Sequence, residues 1–123
     1  MKLLKVFFVG LVFFTSCSDV VEFSKKDVKR NQLDVFTPKI LKLEGSHDLD
    51  NSRISILLES SFSNEEYINS VIKNALKENW VLSFKKGKYL IFIKNDLSES
   101  NEAIPIIVKI YFLEEGQYLI EIF

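Results

Sequence analysis

The chain is poor in the residues from which small proteins usually build cross-links and reaction centres. Its single cysteine, Cys17, excludes a disulfide framework within the chain. Its single histidine, His47, has no second histidine or free thiol to join it, whereas a closed zinc site takes about four ligands. Asp48 and Asp50 lie beside His47 but lack the glycine and distal glutamate of a calcium loop. With 4 glycines and 2 prolines there is no phosphate-cradling loop, no G-x-S-x-G and no H-E-x-x-H. Glu65-Glu66 and Glu114-Glu115 are explained by a helix start and a turn. No charge of one sign dominates: 16 basic residues stand against 17 acidic ones, which argues against a general nucleic-acid binder. No apolar run reaches the roughly 20 residues of a membrane-spanning helix. These absences lead to an expected non-enzyme with no catalytic residues, no metal and no cofactor.

What is abundant is apolar surface. Hydrophobic residues make up 47% and aromatics 13% of 123 residues, too much for a disordered chain and enough for one domain. The N-terminus has its own organisation. Lys2 and Lys5 precede an apolar run from Val6 to Phe14, followed by Thr15, Ser16 and Cys17. A basic start, a short apolar stretch and small residues at its end are the features of a secretory signal peptide. The segment Phe14-Thr15-Ser16-Cys17 resembles the lipobox of bacterial lipoproteins, in the looser spirochaete form that admits Phe14 where Leu is usual. The resemblance covers about 17 residues and does not extend to the folded part. It implies cleavage before Cys17 and acyl chains on that residue. Each buried acyl CH2 contributes about 0.8 kcal/mol, so two or three chains give stable attachment to a membrane. The localisation implied is the cell envelope, with the outer membrane or cell surface favoured over the inner membrane.

The expected organisation is a signal peptide at 1–16, lipidated Cys17 with a flexible tether at 17–37, and a single α+β domain at 38–123. The tether reading rests on polar residues without sustained periodicity between Ser18 and Thr37. Ile40-Leu41-Lys42-Leu43 suggests an accessory strand, and residues 46–52 a loop holding His47. Residues 53–61 alternate as a strand. Ser63 and Glu66 form a capping box, and Tyr67, Ile68, Val71, Ile72, Ala75 and Leu76 a helical stripe, predicting a helix over 64–78. Two hairpins follow. The first joins 80–85 to 88–94 through Lys86-Gly87, and the second joins 103–113 to 117–123. In the second, pairing Leu113 with Gln117 sets Lys109 opposite Glu121, a favourable cross-strand charge pair.

The fold class expected is therefore α+β, an antiparallel sheet of about five strands with one helix on one face, in the order β-α-β-β-β-β. That order resembles the cystatin-like arrangement, an analogy of fold that implies no activity. A helix covers one side of a sheet only. Strict alternation leaves Leu90, Phe92, Ile107, Tyr111, Leu119 and Phe123 on the other side, more apolar surface than a monomer ordinarily exposes. Either residues 36–43 fold back over it or a partner does. The expected function is a lipid-anchored envelope protein that binds an envelope protein or itself through this face. The alternative is a binder of a small apolar ligand in a cavity between helix and sheet lined by Trp80 and Tyr67.

Overall fold

The alternation after Arg53 forms a strand because Ile56 and Leu58 both find a buried face while Leu57 and Glu59 stay in solvent. The computed structural model describes residues 20–97 and 103–123; the signal-peptide reading of residues 1–16 and the lipidation site Cys17 lie outside the described residues. Among the described residues there are seven strands and two α-helices: β1 (Val20–Glu22), α1 (Lys25–Arg30), β2 (Ile40–Asp48), β3 (Arg53–Ser60), α2 (Asn64–Lys77), β4 (Val81–Lys86), β5 (Tyr89–Leu97), β6 (Ala103–Glu114) and β7 (Gln117–Ile122). The start of α2 is fixed by its capping box. Ser63 N–H donates to Glu66 Oε1 at 2.9 Å, and Glu66 N–H donates to Ser63 Oγ at 3.2 Å. Its end is fixed by Asn79 at φ 71°, a left-handed position that asparagine tolerates. Tyr67, Val71 and Ala75 are buried along the stripe, whereas Leu76 is 52% exposed.

The protein is α+β, with an antiparallel sheet and one main helix, but the sheet has seven strands instead of about five, in the order β1-β2-β3-β7-β6-β5-β4. From β3 on, the elements follow the expected order, a strand, a helix and four strands. β3 pairs with the last strand, β7, so the crossover through α2 carries the chain over the sheet to its far edge at β4.

The flexible tether is overturned for residues 20–37, which are folded. Asp27 Oδ2 accepts hydrogen bonds from Ser24 N (2.8 Å) and Ser24 Oγ (3.0 Å), which starts α1. A 3-10 turn follows at Asp34–Phe36. Phe23, Val28, Leu33 and Phe36 are all buried. The Phe36 ring stands 5.0 Å from Trp80 and 5.4 Å from Phe92, and its carbonyl accepts the Tyr67 hydroxyl at 2.7 Å. The accessory strand is longer than expected: β2 runs to Asp48 and takes in His47, which sits opposite Ile54 and Val21 and not in a loop. Gly45 lets Phe23 cross closely here, since a Cβ at Gly45 would lie 2.5 Å from the Phe23 carbonyl oxygen.

From Val108 to Phe112 the β6–β7 register is the expected one, with Phe112 opposite Tyr118, Ile110 opposite Ile120 and Lys109 opposite Glu121. A bulge at Leu113 then sets Gln117 opposite Glu114 and not Leu113. The β4–β5 hairpin differs. Its two-residue loop is Gly87-Lys88, with Gly87 alone at positive φ (56°), as a II′ turn requires. A bulge between Leu82 and Phe84 then places Leu82 opposite Phe92 and Phe84 opposite Ile91. Leu90 (1% exposed) and Phe92 (0%) consequently belong to the core, and Ile91 and Ile93 turn outward.

The centre of the core is an aromatic stack of Tyr67 on Tyr118, with ring centroids 3.8 Å apart. Burial pushes the Tyr67 phenol well above its ordinary value. Burial, and then the Glu115 carboxylate, push Tyr118 up to about 12. Unfolded tyrosines release their protons near pH 10. The folded state holds these protons more tightly, so the stability they contribute is intact below pH 10 and is lost as pH rises from there through about 12. Thermal midpoints read by circular dichroism are expected to be flat up to pH 10 and to fall steeply above it. Tyr118→Phe removes one of the two titrations and makes that fall shallower. A midpoint unchanged across this window would show that the stacked phenols do not titrate with unfolding.

Candidate functional site

All the non-sheet elements pack on one side. Phe36 touches Trp80 and Phe92, and α2 lays Tyr67 against Tyr118 and Phe112. Residues 36–43 therefore do not cover the other side: Phe36 joins the helix face, and residues 40–43 extend the sheet in its own plane as part of β2. Among the described residues no helix or strand lies over the outer face. Its side chains fall in rows across the strands. One row runs Glu44, Leu57, Leu119, Tyr111, Tyr89, Lys86. The next runs Ser46, Ser55, Glu121, Lys109, Ile91, Phe84. Beyond these, Phe123 pairs with Ile107 through two backbone hydrogen bonds (2.9 and 3.3 Å), and Ile107 is opposite Ile93, which is opposite Val81.

The structure brings Ile107, Tyr111, Leu119 and Phe123 together on this face. Leu90 and Phe92 are withdrawn from the candidate set because both are core side chains facing Ile110 and Val108. The sequence reading missed Tyr89, Ile91, Ile93, Phe84 and Leu57. Gly87 was the signal available: placed first in a two-residue loop, it shifts the hairpin register. Leu57, Val81 and Phe84 are exposed, and Ile91, Ile93, Ile107, Tyr111 and Leu119 are half-buried against each other.

The polar groups of the face are locally engaged. The Tyr89 and Tyr111 rings stack at 4.8 Å. Hydrogen bonding to the Tyr89 hydroxyl, with smaller contributions from desolvation and the nearby Glu121 carboxylate, pushes Tyr111 up to about 12. Lys109 Nζ lies 5.0 Å from the Phe123 ring centroid, a cation–π distance. At the strand ends, Asp48 is lowered chiefly by its hydrogen bond from the Asn51 side chain (2.7 Å), so this carboxylate serves the β2–β3 turn. Asp27 is lowered chiefly by the Ser24 backbone N–H and then by the Ser24 hydroxyl at the start of α1.

An open depression of about 230 Å³ lies at one corner, lined by Lys42, Glu44, Leu57, Glu59, Leu113 and Gln117 among others. It is smaller than the roughly 300–1,000 Å³ typical of small-molecule sites. Between helix and sheet, Trp80 and Tyr67 are packed against other side chains and are 3% and 0% exposed. The Trp80 indole N–H is buried without a hydrogen-bond partner, and Lys94 Nζ stands 5.5 Å from its ring centroid. Among the described residues no group of three or more His, Cys, Asp or Glu is placed to hold a metal ion. No helix among them is long and apolar enough to cross a membrane. Comparison with protein-family models, with curated proteins and with solved structures finds no match.

Proposed function

We propose that this chain is a lipid-anchored protein of the bacterial cell envelope that works without catalysis, by docking an envelope protein on the outer face of its sheet. One observation carries the reading. Ile91, Ile93, Ile107, Tyr111 and Leu119 lie side by side on a sheet face that no described element covers. A contiguous apolar patch of this kind is a common mark of an interaction surface. The anchoring half of the reading rests on the run of Lys2, Lys5, residues 6–14 and Thr15-Ser16-Cys17. Acyl chains on Cys17 hold the domain at a bilayer, with Ser18 and Asp19 alone between the anchor and β1.

Both halves have direct tests. Mass analysis of the chain recovered from cell membranes is expected to find Cys17 as the first residue, bearing two or three acyl chains. Cys17→Ala is expected to leave the chain unprocessed and without acyl chains. A wild-type chain recovered soluble and unmodified would end the anchoring reading. For the face, the double variant Ile107→Lys, Leu119→Lys is expected to lower crosslinking to the partner in intact cells more than about tenfold, since buried anchor residues dominate interface energies. Its far-ultraviolet circular dichroism and Trp80 emission stay those of the parent. Unfolding of that variant would show these side chains to be structural, and unchanged crosslinking would move the docking site elsewhere.

A further inference from the structure

Two charge pairs on the outer face are arranged antisymmetrically about a line between β6 and β7, and the β1–β3 side also carries Glu22, Glu59 and Asp48 with Arg53 and Lys42, the last 3.5 Å from Glu44. In the first row a carboxylate, Glu44, stands at the β2 end and an ammonium, Lys86, at the β4 end. In the second, Glu121 on β7 adjoins Lys109 on β6. Apolar side chains fill much of the space between. Such a pattern complements itself. A two-fold axis parallel to the strands, passing between β6 and β7 in the gap between two stacked sheets, sets β7 of one copy over β6 of the other. The same operation sets β3 over β5 and β2 over β4. Glu44 then meets Lys86 of the second copy, Glu121 meets Lys109, Leu57 meets Tyr89, and Leu119 meets Tyr111.

We propose that the occupant of the outer face is a second copy of this chain, packed sheet on sheet about this axis. The proposal rests on the docking reading above and names its partner. Sheets packed face to face lie about 10 Å apart with strands within about 30° of each other, so the rows stay in register near the axis. An isologous interface requires that each patch match itself: a one-signed face would repel its copy, and a purely apolar face would match without specifying any register. Hydrocarbon is a poor occupant, because Glu121 and Lys109 sit in the middle of the face and charged groups are costly in a bilayer. The axis also suits the anchoring. Because it runs along the strands, both copies start β1 at the same end of the dimer, and two anchors attached near Val20 enter one bilayer. Confinement to one membrane raises the effective concentration of the partner.

Glu44 and Lys86 make the test sharp. Five strand spacings of about 4.8 Å separate them within one chain, roughly 24 Å, too far for direct coupling. The full chain is produced in its cells with a photocrosslinking side chain at exposed Leu57. The expected product is an adduct of twice the chain mass. Glu44→Lys alone and Lys86→Glu alone each set like charges together at both ends of the dimer. Each is expected to weaken the adduct about tenfold, with two symmetric pairs reversed. The combined variant restores it to within about twofold of the parent. An adduct with a different protein would overturn self-association and leave the docking reading standing. No protein adduct at all would overturn both. A doubled mass without restoration in the combined variant would overturn the two-fold register proposed.

Discussion

Phe92→Ala is expected to lower the unfolding free energy by about 3–5 kcal/mol, whereas Ile93→Ala, one residue along the same strand, lowers it by roughly 1 kcal/mol. Phe92 is 0% exposed, stands 5.4 Å from the Phe36 ring and pairs with Val108 on the face under the helix. Its truncation removes a large side chain from a place where α2 and the 3-10 turn cannot both close in, so the cavity persists. Ile93 is half-buried on the outer face, between Ile107 and Val81, and its loss removes apolar area already partly wet. Urea titration followed by Trp80 emission reads both changes, because Trp80 sits 5.0 Å from Phe36 in the same core region. Equal costs at the two positions would mean that both faces of β5 are equally enclosed, and the docking face would lose its physical basis.

That contrast also shows where the sequence was readable. The helix was legible because two signals agreed: the Ser63–Glu66 box and the stripe from Tyr67 to Leu76. The β6–β7 hairpin was legible because Lys109 and Glu121 match across it and Phe112 and Tyr118 fall on one side. β5 was not legible, for a stated reason. Leu90 and Phe92 on one side, and Tyr89, Ile91 and Ile93 on the other, are equally apolar, so alternation alone does not choose the buried face. The choice followed from strict period two carried through a turn at Lys86-Gly87. The bulge at Ser83 breaks that period and puts Leu82 and Phe84 on opposite faces. Four of the six candidate residues survived because Ile107 and Tyr111 lie on β6 and Leu119 and Phe123 lie on β7 or just after it, where the register was right.

The N-terminal segment was hidden by its brevity. A three-residue strand, a six-residue helix and a three-residue 3-10 turn are each too short to show a period. Their polar residues face solvent, and Phe23, Val28, Leu33 and Phe36 are scattered among them at unequal spacing. Composition therefore reads as spacer while the four apolar side chains do the anchoring.

Removing residues 20–37 is accordingly expected to abolish cooperative folding, where deletion of a true spacer would change nothing. Each of the four buried side chains contributes about 1.5–3 kcal/mol on burial, roughly 6–12 kcal/mol together, against about 5–15 kcal/mol for a whole domain. The deletion also strips the acceptor from the Tyr67 hydroxyl, which donates to the Phe36 carbonyl at 2.7 Å inside the core. An unpaired buried donor there costs about 1–3 kcal/mol more. Trp80 and Phe92 lose the ring that covers them. A chain beginning at Pro38 should show no thermal transition by circular dichroism and the emission of a wet tryptophan. A chain beginning at Val20 should melt as the parent does, since the four side chains all lie within it. A parent-like melt from the Pro38 chain would return residues 20–37 to the role of tether. The outcome also fixes the reach of the anchor. With β1 starting at Val20, the three steps from the proposed lipidation site Cys17 span about 11 Å at most. If the proposed anchor holds the domain that close, it meets other molecules anchored in the same membrane first, and a second copy is one of them.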